Sequence, residues 1–254
     1  MSNEVPVISV SGLGKKFHAT VLSDVNFEIN RGESVALVGA NGAGKSTLIK
    51  IILGLIFPTS GSLTVFGHRA GSAEALASIG YLPEIPGFWG EISARYLLRT
   101  VGSLRGLSPR VVDLRIKSLL SAVGLQVRGD RWIGGYSKGM LQRTGLAQAL
   151  LHDPGLLILD EPMSGLDPRA QEKLRGIILE LKQKGKTFII SSHSLEDIRS
   201  LCTRVIVLEK TKVVADGPSE EVLKQLVEKY RSQEPWDEDP IGHLPLDWGS
   251  SENG

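Results

Sequence analysis

An α/β protein, built on a buried and largely parallel sheet with a helical insertion, is what this sequence predicts, and three observations carry the prediction. Short β-branched runs alternate with stretches of helical periodicity along most of the chain. The runs at 34–38, 156–159 and 187–191 are apolar on successive residues, as strands must be when both faces of a sheet are covered. The stretch from Pro86 to Gly135 shows almost no strand signal and reads as helices inserted into the α/β body.

Taken in chain order, strands are predicted at 7–10, 25–29, 34–38 and 63–66, with a helix at 45–55 following a glycine-rich segment. Within the insertion and just after it, apolar residues recur at helical spacing over 93–105, 109–123 and 138–152. Strands at 156–159, 187–191, 205–209 and 212–215, with helices at 168–184 and 218–230, complete the body. Pro109, Pro168 and Pro218 sit near helix starts, where a missing N–H is harmless.

Composition narrows the function. The 254 residues carry 29 Lys and Arg against 28 Asp and Glu, a net charge of +1, which argues against a protein devoted to neutralising nucleic-acid phosphates. The charge is unevenly spread: residues 231–254 hold one base, Arg231, and six acids, so the preceding 230 residues are moderately basic. That acidic stretch also holds Pro235, Pro240 and Pro245, and reads as a tail outside the core, with Trp236 and Trp248 leaving docking open. Cys202 is the one cysteine, which removes an intramolecular disulfide and a cysteine zinc site. The N-terminus lacks a basic and apolar leader, and the longest apolar run, 48–57, falls short of the roughly 20 residues a bilayer span needs. A cytoplasmic protein is expected, one that reaches a membrane only through a partner.

Gly39-Ala40-Asn41-Gly42-Ala43-Gly44-Lys45-Ser46-Thr47 satisfies G-x-x-x-x-G-K-[ST] between an apolar strand and a helix. The residue types follow from phosphate chemistry. Glycines let backbone N–H groups curl around a β-phosphate, the helix directs its positive end at the anion, Lys45 reaches the β- and γ-phosphates, and Ser46 ligates Mg²⁺. The motif alone is shared by kinases, GTPases, motors and transport ATPases. Further along, Leu156-Leu157-Ile158-Leu159-Asp160-Glu161 is an apolar strand ending in two carboxylates. A buried strand would deliver Asp160 opposite the phosphate loop to hold Mg²⁺, and Glu161 to the γ-phosphate side as a general base for water.

Around these stand further motifs. Tyr136-Ser137-Lys138-Gly139-Met140-Leu141-Gln142-Arg143 precedes the acidic strand; Ser164-Gly165-Leu166-Asp167 and Ser191-Ser192-His193-Ser194 follow it; Phe17 lies upstream of the loop. In this order, over about residues 5–230, the set resembles the nucleotide-binding subunit of an ATP-binding cassette (ABC) transporter, of the exporter-type subfamily. The resemblance implies an ABC ATPase domain over 1–230: a P-loop NTPase core with a mixed sheet, an antiparallel β subdomain and a helical insertion, about 86–152, carrying the signature motif. It implies ATP and Mg²⁺ as ligands, Phe17 stacked on adenine, the signature residues Ser137 and Gly139 reading the γ-phosphate of a second subunit's ATP, and His193 bonded to the γ-phosphate. Catalytic roles would fall to Lys45, Glu161 and His193.

Two departures stand out. Where the family places Gln at the strand end entering the insertion, this chain has Glu84, a possible third oxygen donor for Mg²⁺ that adds negative charge beside Asp160 and Glu161. The signature also has Lys138 and Met140 where Gly and Gln are usual. The implied partners are a multi-span membrane permease and a second ATP-binding subunit forming a homodimer, with no nucleic acid, at the cytoplasmic face of the inner or plasma membrane. The implied function is ATP hydrolysis that powers export through the permease. The competing reading is a soluble ABC ATPase acting on ribosomes or DNA. Such relatives carry two cassettes or a long coiled-coil insertion, and this chain shows one cassette and no heptad run.

Overall fold

The computed structural model describes residues 5–231, so all but Arg231 of the expected acidic tail lies outside the described residues. The elements run β1 (Ile8–Lys16), β2 (Thr20–Ile29), β3 (Ser34–Val38), α1 (Lys45–Ile52), β4 (Ser60–Val65), β5 (His68–Arg69), α2 (Ala73–Ala77), β6 (Ile79–Leu82), α3 (Ala94–Leu104), α4 (Pro109–Ala122), α5 (Lys138–Leu150), β7 (Leu156–Asp160), α6 (Pro168–Gln183), β8 (Thr187–Ser191), α7 (Leu195–Leu201), β9 (Arg204–Glu209), β10 (Lys212–Pro218) and α8 (Ser219–Arg231). The central sheet is ordered β10-β9-β3-β8-β7-β6. Its pairings are parallel except for the edge strand β10, which runs antiparallel to β9. A separate antiparallel sheet is ordered β2-β1-β4-β5.

Side-chain alternation explains why the central strands are apolar throughout. Val35, Leu37, Ile158, Ile189 and Ile206 point into a core shared with α1 and the antiparallel sheet. Their neighbours Ala36, Val38, Leu157, Leu159, Phe188, Ile190 and Val207 point to the opposite face, against residues of α6, α7 and α8 such as Leu174, Ile178, Ile198 and Leu223. Neither face meets water, so both parities are apolar apart from strand-end residues such as Ser34, Thr187 and Ser191. The insertion has its own core, in which Leu98 of α3, Val112 and Ile116 of α4 and Met140 and Ala147 of α5 pack together.

Differences from the sequence reading have local causes. β1 and β2 extend well beyond the predicted runs, because their outer positions, such as Ser11, Asp24, Asn26 and Glu28, are polar and exposed on a one-sided antiparallel sheet. β6 is legible in the sequence only through the resemblance, because Gly80 interrupts its strand pattern. A Cβ at Gly80 would lie 2.3 Å from the Ala149 carbonyl oxygen, so glycine is what lets α5 cross β6 closely. Pro218 closes β10 rather than opening the last helix, a position that an edge strand tolerates.

Phe188 is fully buried in the sheet centre. Phe188→Ala should cost about 3–5 kcal/mol, read as a lower urea midpoint. Burial pushes the Cys202 thiol up to about 12, so Ellman's reagent at pH 8 should leave it unmodified in the native protein and react on unfolding.

Candidate functional site

β3 is buried along its whole length and delivers the phosphate loop to α1. The loop turns through left-handed backbone at Gly42 (φ 80°) and Gly44 (φ 108°). At Gly44 space is short as well, since a Cβ there would stand 2.6 Å from Leu22 Cδ2. Gly44 is also the N-cap of α1 and, lacking a side chain, closes off none of the helix's first N–H groups. The result is a row of backbone donors at the positive end of a helix, an arrangement suited to an anion. Lys45 projects back over the loop, its Nζ donating to the carbonyls of Gly39 and Ala40. Burial holds its ammonium below the ordinary lysine range, opposed by the negative charges of Glu161 and Asp160.

Parallel register brings the carboxylates to the same edge. β7 pairs with β8 so that Asp160 lies opposite Ser191, and β8 pairs with β3 so that Ser191 lies opposite Leu37, next to the loop. Ser191 Oγ donates to Asp160 Oδ1 at 2.6 Å, and the Glu161 backbone N–H donates to Ser191 Oγ at 2.8 Å. Glu161 itself has φ 44°, uncommon for a residue with a side chain. Its Oε2 lies 2.9 Å from His193 Nδ1; the carboxylate is 17% exposed and the imidazole 57%. Burial raises the Glu161 carboxyl above the usual range, while the neighbouring His193 and Lys45 work in the opposite direction. Tyr81, on the adjacent strand β6, is pushed up to about 12 by burial and by Asp160.

A cleft of about 220 Å³ is lined by Gly39, Ala40, Asn41, Lys45, Glu84, Glu161, Ser164 and His193, while Asp160 stands outside that lining, bonded to Ser191. Ser46 and Thr47 follow in the first turn of α1. Not every residue named from sequence gathers there. Phe17 sits in the β1–β2 turn, 55% exposed, with Lys15 Nζ 4.7 Å from its ring centroid. Its hairpin nonetheless adjoins the loop, through Val21 and Leu22 beside Gly44. Ser137 caps α5, accepting from the Met140 N–H at 3.4 Å, and is exposed away from the cleft lining. Gly139 is buried where a Cβ would stand 2.8 Å from Ala170 Cβ, so α6 requires a small residue there for packing. Lys138 extends its ammonium over Gly165 in the segment between β7 and α6.

Sequence reasoning missed three residues that hold this geometry. Ser191 enters the sequence reading only as a strand end and as the first residue of the Ser191-Ser192-His193-Ser194 motif; a hydroxyl closing a strand after three apolar residues is its signal. Gln142 is fully buried and donates from Nε2 to the Glu84 carbonyl at 2.7 Å, tying α5 to the loop that enters the insertion. Arg175 of α6 bonds Asp197 Oδ1 at 2.7 Å and Glu196 Oε1 at 2.9 Å, anchoring α7 directly after the His193 segment. For a metal, no cluster of three or more His, Cys, Asp or Glu stands ready among the described residues. One hydroxyl and one or two carboxylates at the mouth of a phosphate loop fit a hard cation that keeps waters and takes its other ligands from phosphate oxygens, as Mg²⁺ does.

Comparison with known proteins agrees with this geometry. Residues 22–164 match the family model described as ABC transporter. The chain is 39% identical over 220 residues to YxlF, an uncharacterized ABC transporter ATP-binding protein of Bacillus subtilis (strain 168), covering 86% of this chain and 73% of that protein. It is 36% identical over 221 residues to the Nod factor export ATP-binding protein I of Rhizobium sp. (strain N33), again 86% of this chain and 73% of the relative. Among solved structures, one described as the ATP binding subunit of an ABC transporter matches with a TM-score of 0.78 at 35% identity, over 86% of this chain and 92% of that one.

Asp197 is 5% exposed and depends on Arg175 for its charge partner. Arg175→Ala should therefore destabilise the fold by about 3 kcal/mol, measured by urea unfolding, with Arg175→Lys recovering part of the loss.

Proposed function

The chain belongs to the ABC transporter family as an ATP-binding, ATP-hydrolysing subunit that serves transport, and from that premise we propose how its cleft divides the work. The observation that carries the proposal is convergence: the phosphate loop, Glu161 and His193 meet in one cleft although they come from three separate strand ends.

ATP binds with its β-phosphate in the N–H groups of residues 39–47 and its adenine against Phe17. Lys45 exchanges the Gly39 and Ala40 carbonyls for β- and γ-phosphate oxygens, a favourable exchange because an ammonium bonds more strongly to an anion than to a neutral carbonyl. Ser46, Asp160 and Glu84 would hold Mg²⁺, which would supply charge neutralisation at the phosphates. Glu161 has Oε2 engaged by His193 Nδ1, which leaves Oε1 to orient a water and accept its proton. The raised affinity of this buried carboxylate for a proton suits that role. His193 keeps Nε2, on the opposite ring edge, for a γ-phosphate oxygen.

Ser137 and Gly139 lie outside this cleft, on the end of α5. We assign them to the ATP of a second subunit, with an identical chain as the simplest partner. The signature end of one chain then closes over the phosphate loop of the other, and ATP joins the two. The permease would dock in an apolar groove of about 310 Å³ lined by Tyr81, Pro86, Phe88, Trp89 and Leu97, beside the Glu84 segment. Trp89 is 81% exposed at its rim, an aromatic anchor awaiting a partner. Through that groove we place the chain peripherally on the cytoplasmic face; among the described residues no helix is long and apolar enough to cross a membrane. The Rhizobium relative is named for export, and we infer export here too, with substrate choice left to the permease.

Glu161→Gln should retain ATP binding, accumulate an ATP-dependent dimer on gel filtration and lose turnover by about 10²-fold or more. Turnover close to wild type would remove Glu161 from the base role. Trp89→Ala should leave basal ATPase activity unchanged and reduce copurification with a membrane protein from detergent extracts.

A further inference from the structure

We propose that Ser191 is a positioning residue for hydrolysis: its one hydroxyl clamps the two neighbouring carboxylate residues, Asp160 and Glu161, in the orientation the reaction needs. The inference rests on the roles given above to those two residues.

The polarity of the clamp is forced. The Glu161 backbone N–H can only donate, so Ser191 Oγ must accept there, at 2.8 Å. The single hydroxyl proton is then committed to the other neighbour, Asp160 Oδ1, at 2.6 Å. Ser191 is fully buried and sits on a central strand, so the hydroxyl has no water to exchange with and little room to move. One bond fixes Oδ1 of Asp160 and with it the orientation of that carboxylate at the end of β7. The other holds the Glu161 backbone at φ 44°, a conformation that residues with a side chain keep only when their surroundings impose it. That backbone turn lets Glu161 leave the strand line and bring Oε2 to 2.9 Å from His193 Nδ1. Without the clamp, Glu161 would relax toward an ordinary strand geometry and its carboxylate would swing away from His193 and the cleft.

The roles differ in what they do to the kinetics. Loss of a group that only supports the fold lowers stability, and loss of a group that binds nucleotide raises KM. Loss of a group that aims the base lowers kcat with KM little changed. Ser191→Thr keeps the hydroxyl and suits a strand, whereas Ser191→Val has the same shape without it, so the pair isolates the hydrogen bonds from the added methyl. Relative to Ser191→Thr, Ser191→Val should lose about tenfold or more in kcat. KM for ATP, binding of a fluorescent ATP analogue and thermal midpoint should match between the two. Equal kcat in Thr and Val variants of equal stability would overturn the proposal. So would a loss that appears in KM and nucleotide affinity rather than in kcat. If the added methyl prevents folding of both, Ser191→Ala decides by the same split, and wild-type kcat in that variant overturns the proposal. Glu161→Gln, measured alongside, keeps the two readings apart. Wild-type turnover there overturns the base assignment and the clamp's purpose with it; a loss there with none in Ser191→Val and Ser191→Ala overturns the positioning role alone.

Discussion

Everything at the cleft depends on the register of three adjoining parallel strands. β3, β8 and β7 end at one edge, with Leu37 opposite Ser191 and Ser191 opposite Asp160. A slip of one residue in any of the three would turn core side chains toward the wrong layer and separate the phosphate loop from Asp160. Both faces of these strands are buried, so the hydrophobic effect penalises such a slip twice, once in each core layer. The chemistry is thereby held by the packing of residues that never touch a ligand.

Electrostatics add a second constraint. Lys45 stands between the phosphate loop and two carboxylates at the strand end, and it is partly withdrawn from water. Burial alone weakens the case for its charge, while Asp160 and Glu161 strengthen it. The same balance operates on Glu161, where burial favours the neutral form and His193 and Lys45 favour the carboxylate. Opposite charges therefore stabilise one another in a cleft whose own backbone donors favour an anion. Glu84, where the family usually has Gln, brings a further negative charge to this lining.

The helical insertion communicates with the cleft through few but specific contacts. Its core is its own. Yet α5 lies against β6 at Gly80, and Gln142 reaches the Glu84 carbonyl. Gln142 Oε1 is buried without a hydrogen-bond partner, which makes this contact costlier than an apolar one and sensitive to any shift of the Glu84 segment. Arg143 joins the start of α5 to the end of α4, its guanidinium bonding the carbonyls of Gly139 and Val123. The Glu84 loop is thus tied directly to α5, whose N-terminus carries Ser137.

Much of this was legible in the sequence, because several constraints are local. The alternation of strand and helix, the doubly apolar strands and the phosphate loop all follow from side-chain size, backbone freedom and burial within a few residues. The resemblance to ABC subunits rested on motifs that are contiguous in sequence, and the comparisons place the chain in that family. The polar outer faces of β1 and β2 hid the full length of those strands, and the glycine of β6 hid that strand, whose partner β7 is supplied from far along the chain. Tertiary structure alone decided which residues share the cleft, and that Phe17, Ser46, Ser137, Gly139 and Asp160 are among those standing outside its lining. It also decided that Ser191, thirty-one residues from Asp160, bonds both it and Glu161. A hydrogen bond acts over about 3 Å, and only the parallel pairing of β7 with β8 brings those atoms within that range.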